Sequence, residues 1–298
     1  MKSIKDSLFN IDNVDGYAAW RELKLAAYPA NASDLFIDIH DPRQLTGTEK
    51  ELISNLLSRC NMLIYKSNVA DSEDKDIPRI LGHQLGLAHL DPNMLADDDG
   101  ITSLSVVPGK LKRGYIPYSN KRLLWHTDGY YNPPDKQIRA FILHCVRPAA
   151  EGGENSLVDP EMIYLQLRDE NPRYIQALMH ERAMTIPANT ESGEVTRPEQ
   201  SGPVFSLDSA TNCLHMRYTA RTRSIEWRDD PVTREAVAFL EHLLSPENPY
   251  VFSHILSSGQ GLICNNVLHS RTAFNDADAE KGRLLYRARY YERVSDDL

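Results

Sequence analysis

Cysteine is scarce in this sequence, and the four cysteines stand far apart. Cys60, Cys145, Cys213 and Cys264 form no CxxC pair and no close cluster within the 298 residues. A zinc ribbon and a disulfide framework both require closely spaced cysteines. The sequence therefore predicts thiols held in a reducing compartment, and with it a cytoplasmic location.

Long apolar runs and an excess of positive charge are also missing. No stretch approaches the roughly 18 apolar residues of a membrane span, and charges interrupt the first ten residues before an apolar signal segment forms. Asp and Glu outnumber Lys and Arg by 42 to 33, so the formal charge of −9 has the wrong sign for coating nucleic acid. We expect no nucleic-acid partner and no membrane partner, and the oligomeric state stays open.

The sequence lacks the motifs of several large enzyme classes, since it contains no GxGxxG, GxxxxGK[ST], HExxH or GxSxG. It also lacks a linker rich in Gly, Ser or Pro, which favours a single domain over residues 1–298. Residues 186–203 are polar and rich in turn formers. We predict that this segment is an insertion, which is either a lid over a site or a mobile insertion with no such role.

Helix starts are marked by capping patterns. Thr48 and Glu51 have the spacing of a capping box, ahead of an apolar stripe. Three further starts combine an N-cap side chain with Pro at the first helical position: Asp159-Pro160, Asn171-Pro172 and Asp230-Pro231.

Strand-like runs surround these helices, at residues 62–65, 101–107, 138–146, 251–256, 262–267 and 284–291. The loop 257–261 predicts a hairpin between the two runs that flank it. Strands at both ends of the later half, with helices between them, favour a mainly β fold with helices. We expect a double-stranded β-helix (jelly-roll) core with peripheral helices.

The segment Leu124-Trp-His-Thr-Asp-Gly129 carries the first chemical signal. In an extended chain residues i and i+2 point to one face, so His126 and Asp128 aim a nitrogen and a carboxylate at the same point. A second histidine, His269, ends the second strand of the predicted hairpin. Two histidines and one carboxylate suit Fe(II) with open positions for a chelating cosubstrate and O2.

The carboxy-terminal strand adds a second signal. Arg283 and Arg287 are four residues apart and so lie on one face of a strand, where a guanidinium fork can hold the distal carboxylate of 2-oxoglutarate. Arg289 and Arg293 continue the pattern, which leaves a solvated basic face as the alternative. HxD spacing also arises by chance, and a lone histidine at a strand end is more often structural.

Together these segments resemble the TauD/TfdA-like (clavaminate-synthase-like) Fe(II)/2-oxoglutarate-dependent dioxygenases. The resemblance rests on the HxDG at 126–129, on Glu-Gly-Gly-Glu-Asn-Ser-Leu-Val-Asp at 151–159, on Leu-His-Ser-Arg-Thr-Ala-Phe at 268–274 and on the arginine pair at 283 and 287. It is clearest from about residue 115 to 293. The order and spacing of these pieces are more specific than any one of them.

The resemblance implies roles for individual residues. His126, Asp128 and His269 would ligate iron, Arg283 would pair with the distal carboxylate of 2-oxoglutarate, and Arg287 would lie nearby. It further implies that Ser156 stands near a hydroxyl that contacts 2-oxoglutarate in many relatives, although the sequence here has one residue more than the usual motif. Asp128 favours oxygen transfer over halogenation, because halogenating relatives have a small residue at that position.

The implied reaction is hydroxylation of an unactivated C–H bond of a small-molecule substrate, with 2-oxoglutarate and O2 consumed and succinate and CO2 released. Desaturation or ring closure with the same cofactors is an alternative, as are a non-catalytic jelly-roll binding protein and a cupin-like metal isomerase or lyase. Four residues beside the HxD are candidates for the substrate approach, although packing in the core would explain each equally well: Trp125, Tyr130, Tyr131 and Asn132.

Overall fold

The computed structural model describes residues 7–92, 100–106, 118–191, 194–208, 211–221, 225–277 and 281–294. The helices in this part of the chain are α1 (Val14–Ala27), α2 (Gly47–Cys60), α3 (Ile77–Gln84), α4 (Pro160–Glu170), α5 (Pro172–Leu178) and α6 (Pro231–Leu243). None of them is long and apolar enough to cross a membrane.

The described strands run through the whole chain. They are β1 (Phe36–Ile39), β2 (Met62–Ser67), β3 (Thr102–Leu104), β4 (Leu123–His126), β5 (Ala140–Arg147), β6 (Glu151–Gly152), β7 (Asn155–Val158), β8 (Met184–Ile186), β9 (Asn189–Glu191), β10 (Glu194–Arg197), β11 (Gln200–Gly202), β12 (Phe205–Leu207), β13 (Leu214–Met216), β14 (Glu226–Trp227), β15 (Phe252–His254), β16 (Gln260–Cys264), β17 (Leu268–Arg271), β18 (Phe274–Asn275) and β19 (Leu284–Tyr290). The mainly β composition with helices agrees with the expectation from the sequence.

Contacts divide the chain into two compact units. The first comprises residues 1–28, 125–137 and 158–251, and the second comprises residues 29–124, 138–157 and 252–298. The first unit contains α1, α4, α5 and α6 with the short strands β8 to β14. The second contains α2, α3 and the larger sheets.

A six-stranded sheet forms the centre of the second unit, in the order β1-β2-β16-β5-β19-β3. Strand β5 is buried along nearly its whole length, as its continuous apolar sequence requires when both faces are covered. Gly261 on β16 permits a close approach, because a Cβ there would lie 2.1 Å from the carbonyl oxygen of Leu143 and 2.4 Å from the ring of Tyr65.

A four-stranded sheet in the order β15-β7-β17-β4 accompanies it. The predicted hairpin across 257–261 is wrong, because β15 pairs with β7 whereas β16 pairs with β2 and β5. His269 therefore does not end a hairpin strand but lies on a separate strand, β17, that follows a left-handed residue, Asn266, with φ of 48°.

The three helices with Pro at their first position are confirmed. Asp159 accepts a hydrogen bond from the backbone of Glu161, Asn171 from that of Arg173, and Asp230 from that of Thr233. These caps satisfy backbone donors that the first helical turn leaves without partners.

The predicted start of α2 at Thr48 and Glu51 is wrong by two residues. The capping box is formed by Thr46 and Glu49, with the Glu49 amide 3.2 Å from the Thr46 hydroxyl and the Thr46 amide 2.6 Å from the Glu49 carboxylate. Glu49 also accepts from the amide of His40 at 2.7 Å. This contact from the residue that follows β1 supports the earlier box, and local spacing does not reveal it.

The strands lie close to their predicted ranges. The run predicted at 101–107 forms β3 over three residues, and Val107 lies outside the described residues. The sequence also predicts a turn at the acidic residues 97–99, which lie outside the described residues as well. The segment 186–203 contains the antiparallel pair β9 and β10 and the strand β11, which pairs with β8. Ser192 and Gly193 lie outside the described residues.

Candidate metal centre and anion pocket

The HxD segment is extended at the end of β4. Thr127 is fully buried, and its amide donates to the carbonyl of Tyr218 at 3.0 Å while its hydroxyl accepts from the Tyr218 amide at 3.1 Å. This pairing turns the side chains of His126 and Asp128 to the opposite face. Nε2 of His126 lies 4.0 Å from Oδ1 of Asp128, and both side chains are buried.

A turn begins directly after Asp128. Gly129 has φ of +66°, in the left-handed region that favours glycine, and its carbonyl accepts from the amide of Asn132 at 2.8 Å. The chain thus leaves the strand one residue after the carboxylate.

His269 lies on β17, the strand next to β4 in the four-stranded sheet. Its Nδ1 is 2.9 Å from the carbonyl oxygen of Val267, which can only accept. Nδ1 therefore carries the proton, and the lone pair that ligates a metal is on Nε2. The ring of Phe141 packs at 4.7 Å between centroids and fixes the plane of the imidazole.

The three side chains chosen from the sequence come together. One ligand atom from each of His126, Asp128 and His269 lies within 4.8 Å of the other two. Two imidazoles and one carboxylate are the donor set of a site that suits Fe(II) and keeps coordination positions open. No further group of this kind occurs among the residues that the structure describes.

A pocket adjoins His269 within the second unit. Its lining combines apolar side chains with three arginines and consists of Leu104, Leu123, Phe141, Leu143, Asn155, His269, Ser270, Arg271, Arg283 and Arg287. The solvated basic face considered from the sequence is wrong, because Arg283, Arg287 and Arg289 are 5%, 8% and 4% exposed.

Arg283 is a buried cation that forms no ion pair with the residues the structure describes. Its guanidinium lies 5.1 Å from the ring centroid of Phe274, and no acidic side chain among the described residues is within ion-pair distance of it. Burial lowers the pKa of Arg283, while Cys145 and Asp276 act in the opposite direction. An uncompensated buried charge is costly, so this guanidinium is suited to an anionic ligand.

Arg271 was not among the residues selected from the sequence, although its position two residues after His269 places both on one face of β17. Its guanidinium donates to the carbonyl of Ser119 at 2.9 Å and to that of Lys121. Burial lowers the pKa of Arg271 to about 10, with the charge of Arg283 as the second cause. Arg271 therefore adds positive potential to the pocket while its own donors hold the loop before β4.

Asn155 and Ser156 face opposite sides of β7. Asn155 lines the pocket, is 8% exposed, and its Nδ2 is a buried donor with no hydrogen-bond partner among the described residues. The Ser156 hydroxyl lies 2.8 Å from that of Ser253 on β15. Because side chains alternate along a strand, Asn155 lies in the lining of the pocket and Ser156 does not. The sequence at 152–156 did not reveal which of the two would do so.

The four candidates for the substrate approach flank His126 and Asp128 in the first unit. The ring of Tyr130 meets the ring of His126 edge to face at 6.4 Å, and Tyr131 meets Tyr130 edge to face at 5.1 Å. Trp125 is half-buried, whereas Asn132 donates through Nδ2 to the carbonyl of Lys136 at 2.8 Å and closes a turn.

The chain belongs to the taurine catabolism dioxygenase TauD, TfdA family, whose model matches residues 21–289. A uridine-5'-phosphate dioxygenase of Amycolatopsis sp is 30% identical over 175 residues, which cover 57% of this chain and 61% of that protein. The match therefore spans less than two thirds of the length of that relative.

Solved structures share the fold at low identity. An asparagine oxygenase in complex with Fe(II), 2S,3S-3-hydroxyasparagine and succinate is similar with a TM-score of 0.60 and 15% identity, covering 96% of this chain and 88% of the other. The non-heme iron oxygenase OrfP with Fe and alpha-ketoglutaric acid is similar with a TM-score of 0.60 and 17% identity, covering 94% and 91%.

Proposed function

We propose that this protein is an Fe(II)- and 2-oxoglutarate-dependent dioxygenase that hydroxylates an unactivated C–H bond of a small molecule and releases succinate and CO2. The observation that carries the proposal is the meeting of two histidines and an aspartate beside a pocket with a buried guanidinium that forms no ion pair among the described residues. Family membership and relatives named as dioxygenases support it.

The proposed fold is a double-stranded β-helix in which the six-stranded and four-stranded sheets are the two faces. Its support is the strand order together with the similarity to solved iron oxygenases. We take residues 1–298 as one catalytic domain because the family match runs from residue 21 to 289. A cytoplasmic location remains a prediction, consistent with four cysteines that form no disulfide.

In this proposal His126, Asp128 and His269 hold Fe(II). The donor set fits, because the hydrogen bond from Nδ1 of His269 to Val267 fixes the tautomer and Asp128 supplies the single negative charge. Three protein ligands leave three positions of an octahedron for other groups. The burial of His126 and Asp128 keeps bulk water away from the ligands.

The adjoining pocket is proposed to bind 2-oxoglutarate. Arg283 is the anchor of the distal carboxylate, since its fork has no carboxylate partner in the described chain, and the buried Nδ2 of Asn155 supplies a second donor. Arg287 and Arg271 add positive potential around the same pocket. Bound iron and 2-oxoglutarate supply the oxidising chemistry, and the chain supplies orientation, charge and exclusion of water.

The test is an anaerobic titration of the Fe(II)-loaded protein with 2-oxoglutarate, followed by measurement of succinate in air. We expect a weak visible absorption band and succinate formation in the wild type, and the loss of both in His126→Ala. The exposed His83 provides the matched control, so His83→Ala keeps both signals.

Metal content gives the decisive outcome. If Asp128→Ala binds as much iron as the wild type, these side chains are structural and the enzymatic proposal is wrong. Turnover without O2 or 2-oxoglutarate would indicate a metal isomerase or lyase instead. Product mass distinguishes hydroxylation, which adds oxygen, from desaturation or ring closure, which removes hydrogen.

A further inference from the structure

The β9–β10 pair carries a bulge that redirects one arginine. The register pairs Val195 with Thr190 and Arg197 with Asn189, so Thr196 is an extra residue on β10. Asn189 holds this residue, donating from Nδ2 to the Thr196 hydroxyl at 2.9 Å, and that hydroxyl donates back to the Asn189 carbonyl at 3.2 Å. A bulge turns the following side chain away from the regular alternation.

Arg197 is the side chain that the bulge redirects. Its Nη2 donates to the carbonyl of Pro187 at 2.8 Å, and its guanidinium carbon lies 6.0 Å from the ring centroid of Tyr131. Its Nη1 is buried and has no hydrogen-bond partner among the described residues. A buried donor on a cation is expensive to leave unbonded.

Tyr131 connects this guanidinium to the metal ligands. Tyr131 packs on Tyr130, and Tyr130 packs on His126, each edge to face. Two rings therefore separate Arg197 from an iron ligand, and all four residues belong to the same compact unit. A small molecule that lies along these rings would meet the reactive centre at one end and a cation at the other.

A buried arginine, Arg217, holds this arrangement in place. Arg217 is 9% exposed, and burial lowers its pKa to about 10. Its N–H groups donate to backbone carbonyls in three places: Tyr130 in the loop after the HxD, Met184 on β8, and Gln200, Gly202 and Pro203 on and directly after β11. Arg217 thus ties the Tyr130 backbone to the strands on either side of the β9–β10 pair and has no donor left for a ligand. Arg197, in contrast, keeps Nη1 without a partner among the described residues.

We propose that Arg197 binds an anionic group, a carboxylate or a phosphate, of the primary substrate. The observation that supports this assignment is the Nη1 of Arg197, which has no hydrogen-bond partner among the described residues and belongs to a guanidinium beside the ring of Tyr131, the end of a series of rings that begins at His126. The identification of the anion with the substrate rests on the proposed oxygenase function, whereas anion binding at Arg197 does not.

The first arm of the test uses matched pairs of compounds in a succinate assay on the iron-loaded full chain. The pairs are amino acids with their amides, and nucleoside 5'-monophosphates with their nucleosides. We expect only anionic members to stimulate turnover, and the pair that responds distinguishes carboxylate from phosphate. Arg197→Gln should raise KM for the active compound by about 30-fold or more with a smaller change in kcat, and Arg197→Lys should recover part of the loss.

The control in this arm is Arg234→Gln, which removes the same charge from an exposed residue of α6 that pairs with Asp229. It should leave KM for the active compound unchanged, and KM for 2-oxoglutarate should stay constant in all variants. Neutral members that stimulate as well as their anionic partners would overturn the proposal. An unchanged KM in Arg197→Gln would do the same.

The second arm needs neither iron nor turnover. The full chain is treated with phenylglyoxal, and modification of Arg197 and Arg234 is followed by peptide mass spectrometry with inorganic phosphate or with acetate present. We expect one of the two anions to protect Arg197 and neither to protect Arg234. If neither anion protects Arg197, the proposal is wrong, whatever the first arm shows. If Arg197 is protected but Fe(II) and 2-oxoglutarate give no band, anion binding stands and the oxygenase function fails.

Discussion

Neighbouring residues of β7 are predicted to differ sharply in their effect on 2-oxoglutarate binding. Asn155→Ala removes a buried donor of a residue that lines the same pocket as Arg283, whereas Ser156→Ala removes a hydroxyl that lies against Ser253. A hydrogen bond to a charged group is worth about 1.5 to 3 kcal/mol, so Asn155→Ala should weaken binding by about 10- to 100-fold. Ser156→Ala should stay within about twofold.

The assay is the anaerobic titration of Fe(II)-loaded protein with 2-oxoglutarate, read from the weak visible band. Thermal unfolding of the ligand-free protein gives a second reading. Because Nδ2 of Asn155 has no partner in the described structure, its removal leaves no protein group newly unbonded, and Asn155→Ala should cost little stability. Equal losses of affinity in the two variants, or a larger loss in Ser156→Ala, would refute the assignment of Asn155 to the pocket.

Three further perturbations follow from buried charges. In Arg283→Lys a point charge replaces the planar fork, so KM for 2-oxoglutarate should rise by at least about tenfold in the succinate assay, and more in Arg283→Met. Burial lowers the pKa of His144 from 6.5 to about 4, so the unfolded chain takes up the proton first, and the free energy of unfolding should fall between pH 6.5 and pH 4. Urea denaturation should show a loss of at most roughly 3 kcal/mol, which His144→Gln removes. Lys24 lies 2.7 Å from Asp159 and 2.6 Å from Glu161, and Lys24→Met should cost about 3 to 5 kcal/mol in denaturant melts because two carboxylates remain without their cation.

For each of these three predictions, one result would contradict the reasoning. An unchanged KM in both Arg283 variants would place the 2-oxoglutarate anchor elsewhere. A pH dependence that persists in His144→Gln would assign the acid sensitivity to other groups. If Lys24→Met combined with Glu161→Gln is no more stable than Lys24→Met alone, repulsion between the carboxylates is not the cause of the loss.

Local chemistry explains which elements the sequence predicted well. Asp230 and Pro231 begin α6 because an acceptor side chain and a fixed φ both act within one turn. The same local reasoning misplaced α2, because Thr46 and Thr48 carry the same spacing to a glutamate, and the contact of Glu49 with His40 favours the first. The false hairpin across 257–261 has a similar origin, since partner choice in a sheet depends on strands distant in the chain.

For the site, the sequence determined the residue types and the local geometry. The i, i+2 spacing of His126 and Asp128 on an extended segment puts both on one face whatever the rest of the fold does. His269 and Arg283 were chosen by chemistry and by order along the chain. Neither the pairing of the strands that carry them nor their burial follows from local pattern.

Only the tertiary structure decided which neighbours turn toward the pocket. It brought His269 beside the HxD, buried Arg283 with no ion pair among the described residues, and placed Asn155 rather than Ser156 in the lining of the pocket. It also placed Arg197 over Tyr131 through a single extra residue in β10. The physical reason is that capping and alternation act within a few residues, whereas burial, strand partnership and the direction set by a bulge depend on contacts between segments far apart in the chain.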